Sequence, residues 1–309
     1  PIFCRAITRY LVGGDLRPTI LVDWTRIGNS HYALVASMPR DGRAMPLYYE
    51  IHPAHYVSKP DVERQFLEGL SRILPSTCRP TLVTDAGYQN PWFRQVQALG
   101  WDYVGRLATH VYVRPIHQDE WSRNDALERS ALRGCTDLGP CEITKSGPLV
   151  QRVIIAAKFK RNPIRSPMRK RPSGRGLAHS RAVKRNQVPW VLATTRGDLS
   201  PKQVIALYAR RMQIEETFRD TKNIRFGWSF RHAFTRSADR YAILLLLAAL
   251  AGFVLTIIGI AAEKRDLHLL YQANTIRHRR VLSLFYLGKA ILARARPPEL
   301  AFLDIKDAC

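Results

Sequence analysis

The chain has 309 residues, and 46% of them are hydrophobic, which excludes global disorder and allows one large domain or several smaller ones. Lys and Arg number 48 against 25 Asp and Glu, so the formal net charge is +23. This excess is typical of proteins that bind a polyanion, and nucleic acid is a better candidate than a membrane surface. The five cysteines are odd in number and show neither zinc-type nor disulfide spacing, which favours a reducing cytoplasm.

The first hundred residues predict a mixed α/β fold that begins with three antiparallel strands. Asp23 closes the first apolar run, and Asp85 follows the fourth predicted strand. Both acids are therefore expected at strand ends. The order β-β-β-α-β-α-β follows from runs at residues 18–25, 31–39, 42–51, 60–74, 81–84, 91–99 and 101–107.

The middle of the chain mixes short β-like pieces with a long basic segment. Residues 158–185 contain 11 Lys or Arg among 28 residues and no acid, and prolines and glycines interrupt them. This pattern is typical of a loop that follows a phosphate backbone, although a solvated loop without a partner has the same composition. The cations expected to contact DNA are Arg169, Lys170, Arg171 and Arg175.

A strand at residues 190–195 precedes a helix with a clear start signal. Ser200 is followed by Pro201 and Gln203, which is a capping box, and the helix is expected to continue to about Lys222. Residues 241–262 then carry no charge and are long enough for a membrane span or for a buried helix.

One ridge of the helix that starts at Pro201 carries most of its chemistry. At ~100° per residue, five side chains fall within about 80° of one another. They are Tyr208, Arg211, Glu215, Arg219 and Lys222. A single acid among cations is by default an ion-pair partner. If Asp23 and Asp85 converge with the acid of this ridge, however, the three carboxylates suit Mg²⁺ or Mn²⁺.

These residues carry a resemblance to a known family. The spacing Tyr208-x2-Arg211-x3-Glu215-x6-Lys222, in the text YARRMQIEETFRDTK, resembles the Tyr-Arg-Glu-Lys signature of DDE transposases of the insertion-sequence-four family. LVDWT around Asp23, TDAGYQNPWF around Asp85 and QANTIRHRRVLS from position 272 are also similar, so the resemblance covers nearly the whole chain.

The resemblance implies an RNase H-like core in which Asp23, Asp85 and Glu215 bind two Mg²⁺ ions, for which Mn²⁺ can substitute. The signature spacing selects Glu215 over the adjacent Glu216. It also implies four segments: the first part of the core at 1–108, a β-rich basic insertion at 109–189, the second part of the core at 190–265 and a helical C-terminal segment at 266–309.

The resemblance implies a set of DNA contacts as well. Tyr208, Arg211 and Lys222 would bind phosphates near a transposon end, with Arg219 beside them. Trp190 would stack on a base that is flipped out of the duplex. The alternative for this tryptophan is an ordinary core position on a strand.

The implied activity is cut-and-paste transposition: cleavage at transposon ends through a hairpin, followed by strand transfer into target DNA. The implied partners are double-stranded DNA, as terminal inverted repeats and target, and a second copy of the chain on paired ends. The resemblance further implies that the apolar segment packs inside the catalytic domain of a cytoplasmic protein, without a membrane.

Two other functions remain open at this stage. One is a catalytically silent transposase remnant that only binds DNA, and the other is an RNase H-like nuclease without strand transfer. Family members usually carry a larger segment before the first catalytic strand, so this shorter chain is expected to discriminate transposon ends poorly.

Overall fold

The computed structural model describes residues 2–28, 30–130, 134–157, 189–223, 228, 230, 233, 235–273 and 275–294. The chain divides into two units, one formed by Pro1–Cys78 with Arg210–Cys309 and the other by Arg79–Ala209. The described helices and strands in chain order are α1 (Ile2–Val12), β1 (Thr19–Ile27), β2 (His31–Arg40), β3 (Arg43–Pro53), α2 (Pro60–Ile73), β4 (Thr81–Thr84), α3 (Asn90–Ala98), β5 (Asp102–Arg106), β6 (Tyr112–Pro115), β7 (Ser122–Arg123), α4 (Asn124–Ser130), β8 (Cys135–Ile143), β9 (Leu149–Ala156), β10 (Trp190–Thr194), α5 (Pro201–Ala209), α6 (Met212–Lys222), α7 (Ala238–Glu263) and α8 (Leu284–Arg294).

The first unit is built on the antiparallel strands β1, β2 and β3, with β2 in the middle. The second strand extends to Arg40, one residue beyond the predicted run at 31–39, and β3 begins at Arg43. Asp41 and Gly42 form the connection, with φ of 45° and 89°. Two residues with positive φ match the right-handed twist of the flanking strands, which makes this a tight hairpin.

The two faces of this three-stranded layer bury different helices. Residues Ile27, Val35 and Tyr241 belong to one core cluster, so α7 packs on the face to which residues 23, 25 and 27 of β1 point. Helix α2 buries Phe66 and Leu70 completely. It contacts β3, where the ring centroids of Phe66 and Tyr48 lie 5.2 Å apart.

Helices α7 and α8 approach each other closely at two glycines. A Cβ added to Gly259 would lie 2.1 Å from the carbonyl oxygen of Leu284, and one added to Gly288 would lie 1.9 Å from that of Leu255. Only glycine permits this backbone contact. The contact brings Ile258 of α7 into a shared apolar cluster with α8.

The face of α7 away from these contacts is more exposed than the resemblance implies. Ile243, Leu247 and Val254 are 58%, 56% and 51% exposed. Most of the apolar part of this helix is therefore not fully buried. Within the described residues, α7 alone is long and apolar enough to cross a membrane, and a single helix of this kind is weak evidence for a span.

The second unit contains strands in the order β4-β5-β10-β9-β8-β6-β7. The β4–β5 pair is parallel and the other pairs are antiparallel. A parallel pair needs a crossover, which α3 supplies between β4 and β5. The α/β fold class expected from the sequence is confirmed, with mixed strand pairing and flanking helices.

Arg196 follows β10 and connects this part of the unit to β4 through hydrogen bonds. Its guanidinium donates to both carboxylate oxygens of Asp198, at 2.7 and 2.8 Å, and to the Thr81 hydroxyl at 2.7 Å. Thr81 is the first residue of β4, and Asp85 follows the last. The guanidinium is largely buried, so these charge-assisted bonds fix the strand that leads to Asp85.

The structure corrects two of the sequence predictions. Asp23 lies in the middle of β1 rather than at its end, because the β1–β2 hairpin continues to the Ile27–His31 pair. The helix predicted from Pro201 to about Lys222 is interrupted after Ala209, where α5 ends, and α6 begins at Met212.

Candidate active site

The predicted signature residues lie on two helices, not on one. The capping box is present, since Ser200 N donates to Gln203 Oε1 at 2.8 Å, and α5 starts at Pro201 as predicted. The break between α5 and α6 is visible in the backbone hydrogen bonds. The amides of Gln213 and Ile214 donate to the carbonyls three residues earlier, at 2.9 and 3.1 Å, so the i→i−4 ladder is lost there.

This interruption divides the residues of the predicted ridge between two helices. Tyr208 belongs to α5 and to the second unit, whereas Arg211 stands at the N-terminal boundary of α6 in the first unit. Glu215, Arg219 and Lys222 follow on α6 itself.

The first unit brings one pair of predicted catalytic acids to the same cation. Arg211 Nη1 donates to Asp23 Oδ2 at 3.3 Å, and Nη2 donates to Glu215 Oε1. The side chains of Asp23 and Arg211 are each 13% exposed, and that of Glu215 is 38% exposed. Strand β1 and helix α6 therefore place two carboxylates around one guanidinium, although Asp23 and Arg211 are 188 residues apart.

Helix α6 is fixed to β3 by polar contacts that the sequence does not reveal. The Thr217 hydroxyl accepts from Ala44 N at 2.8 Å, and Arg43 Nε donates to Asp220 Oδ2 at 2.6 Å. Both contacts join residues more than 170 positions apart, which is why no local signal predicts them. They hold α6, which carries Glu215, against the three-stranded layer in which β1 carries Asp23.

The other predicted residues of α6 have different surroundings. The Arg219 guanidinium donates to Glu216 Oε2 at 2.7 Å, and its side chain is 63% exposed. The Lys222 ammonium lies 5.8 Å from the centroid of the Phe218 ring. Glu216 therefore has its own local partner, whereas Glu215 shares Arg211 with Asp23.

In the second unit, Asp85 follows β4 directly, as predicted. Its Oδ1 accepts from Gly87 N at 2.8 Å, which closes a local turn and leaves the other carboxylate oxygen outside this bond. The turn holds the Asp85 carboxylate next to the backbone at the carboxyl end of the strand.

The predicted aromatic residues of the second unit contact each other. The ring centroids of Trp190 and Tyr208 are 4.8 Å apart, with an interplanar angle of 69°. Tyr208 is buried at 4% exposure, and Trp190 is half-buried at the start of β10. An edge-to-face contact of this kind favours one orientation of both rings.

The remaining predicted DNA contacts, at Arg169, Lys170, Arg171 and Arg175, lie outside the described residues.

The carboxylates fit a divalent cation by their chemistry. Carboxylate oxygens are the hard ligands that Mg²⁺ prefers, and Asp23 and Glu215 already share one cationic group, the Arg211 guanidinium. Across the described part of the chain, no three His, Cys, Asp or Glu side chains are grouped closely enough to form a metal site by themselves. The pair of the first unit would therefore need further ligands, such as water, substrate phosphate or a third acid.

Comparisons with known proteins identify the family. The family model for the transposase DDE domain matches residues 16–251, which is more than half of the chain and includes Asp23, Asp85 and Glu215. No curated protein matches the chain. The matched region contains the mixed α/β fold described above. The chain belongs to the transposase DDE domain family, whose members act on DNA in transposition.

Proposed function

We propose that the chain is a cut-and-paste transposase of the insertion-sequence-four family, with Asp23, Asp85 and Glu215 as its catalytic carboxylates. Its motifs resemble those of the transposase of the tetracycline-resistance composite transposon. The observation that carries the proposal is the sharing of Arg211 by Asp23 and Glu215, because it brings two signature motifs, far apart in sequence, to one point.

The proposed cofactor is Mg²⁺, bound as two ions, with Mn²⁺ as a substitute. When bound, such ions activate a water or 3′-hydroxyl nucleophile and stabilise the leaving oxygen. The protein contributes the anionic oxygens of Asp23, Asp85 and Glu215. It also contributes the rigid contacts, Thr217 to Ala44 among them, that keep α6 in place while DNA binds.

Several of the proposed DNA contacts flank Glu215 in the sequence. Arg211, Arg219 and Lys222 would bind backbone phosphates, and the basic segment 158–185 would add contacts that do not depend on sequence. The Tyr208 hydroxyl is proposed as a further phosphate contact, and its ring supports Trp190.

Trp190 is proposed to stack on a base extruded from the duplex during hairpin formation. The half-buried ring supports this role, since a fully buried indole could not receive a base. Its contact with Tyr208 holds the ring in one orientation before DNA arrives, which lowers the cost of stacking.

We further propose that the complete reaction runs from a nick through a hairpin to strand transfer, in the cytoplasm and without a membrane. Both ends of an element must join one target, so a homodimer on paired ends is the assembly that we propose. The four-segment domain division given under the sequence analysis remains part of this proposal.

The test is a cleavage assay on a labelled duplex that carries the inverted repeats flanking the gene. With Mg²⁺, we expect a nick, then a hairpin, and with supercoiled plasmid we expect joined products. EDTA should abolish all three. DNA binding without any Mg²⁺-dependent cleavage would contradict the proposal and identify a silent remnant. Cleavage without hairpin or joined products would indicate a nuclease.

A further inference from the structure

Arg211 lies between the two predicted catalytic carboxylates of the first unit, Asp23 and Glu215, and offsets part of their negative charge. Its Nη1 contacts Asp23 Oδ2 and its Nη2 contacts Glu215 Oε1, so one guanidinium spans both acids. Arg211 and Asp23 are largely shielded from water, at 13% side-chain exposure each. Without this cation, two anions would repel each other in a partly dehydrated site.

We propose that Arg211 is a resident counter-ion that exchanges with the divalent cation: it releases Asp23 and Glu215 when the metal binds, and its guanidinium then becomes available to a DNA phosphate. The inference rests on the proposed function, because it takes these two carboxylates as metal ligands. A guanidinium and a divalent cation compete for the same oxygens and repel each other at short range. The guanidinium fork also matches phosphate as well as it matches carboxylate.

The position of Arg211 in the chain suits such an exchange. It is the residue before α6, and a change of its side-chain rotamer leaves the backbone of α6 in place. The carboxylates have separate anchors. Asp23 lies within β1, paired in register with Val35, and α6 is fixed to β3 through Thr217 and Asp220. The acids therefore keep their places when the arginine leaves.

The exchange predicts that removal of the arginine strengthens metal binding. We expect Arg211→Met to bind Mn²⁺ at least about tenfold more tightly than the wild type in the absence of DNA, equal to about 1.4 kcal/mol. Mn²⁺ electron paramagnetic resonance measures this without any activity. Arg219→Met is the matched control, because Arg219 pairs with Glu216 on the same helix, and its Mn²⁺ affinity should equal that of the wild type.

A second measurement uses the wild-type protein, in case Arg211→Met does not fold. The side-chain nitrogen resonances of Arg211 should shift as Mg²⁺ is added, while those of Arg219 should not. Resonances of Arg211 that stay constant through saturation with Mg²⁺ would overturn the exchange. So would equal Mn²⁺ affinities of the wild type and Arg211→Met.

A failure of the proposed exchange can be distinguished from a failure of the proposed function. If Mn²⁺ binds the wild type and Asp23→Asn weakens it, the carboxylates are metal ligands whatever Arg211 does. If Asp23→Asn and Glu215→Gln leave Mn²⁺ binding unchanged, the metal site itself is wrong and the exchange falls with it.

Discussion

Glu63 provides a test of the packing between α2 and β1 that involves no DNA. Its side chain is 4% exposed. Burial raises the pKa of this carboxyl from 4.5 to about 7, and the nearby Trp24 side chain opposes part of the shift. At about 1.36 kcal/mol per pKa unit, a rise of this size corresponds to about 3 kcal/mol.

The sign of the pH dependence follows from the proton balance. Between about pH 4.5 and pH 7 the unfolded chain has lost the proton and the folded chain retains it, so the free energy of unfolding falls as pH rises. Below that range both states are protonated, and above it both are ionised. The cost of Glu63 should therefore grow from under about 1 kcal/mol near pH 5 to about 3 kcal/mol near pH 8.

Glu63→Gln removes the ionisation and keeps a side chain of nearly the same size and shape. We expect the variant to gain about 2–3 kcal/mol over the wild type at about pH 8 and little at about pH 5. Denaturant unfolding followed by circular dichroism at both pH values measures the difference. Glu68→Gln, an exposed acid on the same helix, is the matched control and should show no such gain. A gain from Glu63→Gln that is the same at both pH values would refute the reasoning.

Three further predictions address DNA binding, hairpin formation and helix packing. Neutralising Arg169, Lys170, Arg171 and Arg175 should lower the slope of log K against log salt by up to about 0.9 for each DNA phosphate that these cations no longer neutralise, and an unchanged slope would leave only a solvated loop. Trp190→Ala should slow hairpin formation by roughly ten- to a hundredfold with nearly normal nicking, because an aromatic face returns about 1–3 kcal/mol per stacked base. Equal loss of nick and hairpin on a labelled duplex would instead indicate a core tryptophan. Gly288→Ala should destabilise the first unit by about 1–3 kcal/mol through the contact with Leu255, whereas Gly252→Ala, with open space around the added Cβ, should stabilise it by about 0.5–1 kcal/mol in thermal unfolding.

Local signals in the sequence were sufficient for much of the fold. The bounds of β4 agree residue for residue with the prediction, because four fully buried residues stand between Pro80 and the Asp85 turn. The start of α5 was predictable for a similar reason, since its capping box lies within four residues. The family resemblance also predicts that Asp23 and Glu215 lie close together, which no local sequence pattern indicates.

Features that depend on distant contacts were not predictable. The break before α6 has no proline or glycine, and every residue from Ala209 to Met212 suits a continuous helix. The exposed side of α7 was also missed, because hydropathy records composition and not which neighbours cover a face. The ion pair of Arg43 with Asp220 joins residues 177 positions apart and leaves no trace in spacing.

The central claim is that Asp23, Asp85 and Glu215 carry out DNA cleavage. It is tested most directly by Mg²⁺-dependent nicking of a labelled end duplex with Asp23→Asn, Asp85→Asn and Glu215→Gln, each compared with Glu216→Gln. We expect the first three variants to bind DNA but not to nick it, because each variant lacks one anionic oxygen ligand. Glu216→Gln should nick normally, since Glu216 pairs only with Arg219 among the contacts described above. Near-normal nicking by any of the first three, or a loss with Glu216→Gln as large as theirs, would contradict it.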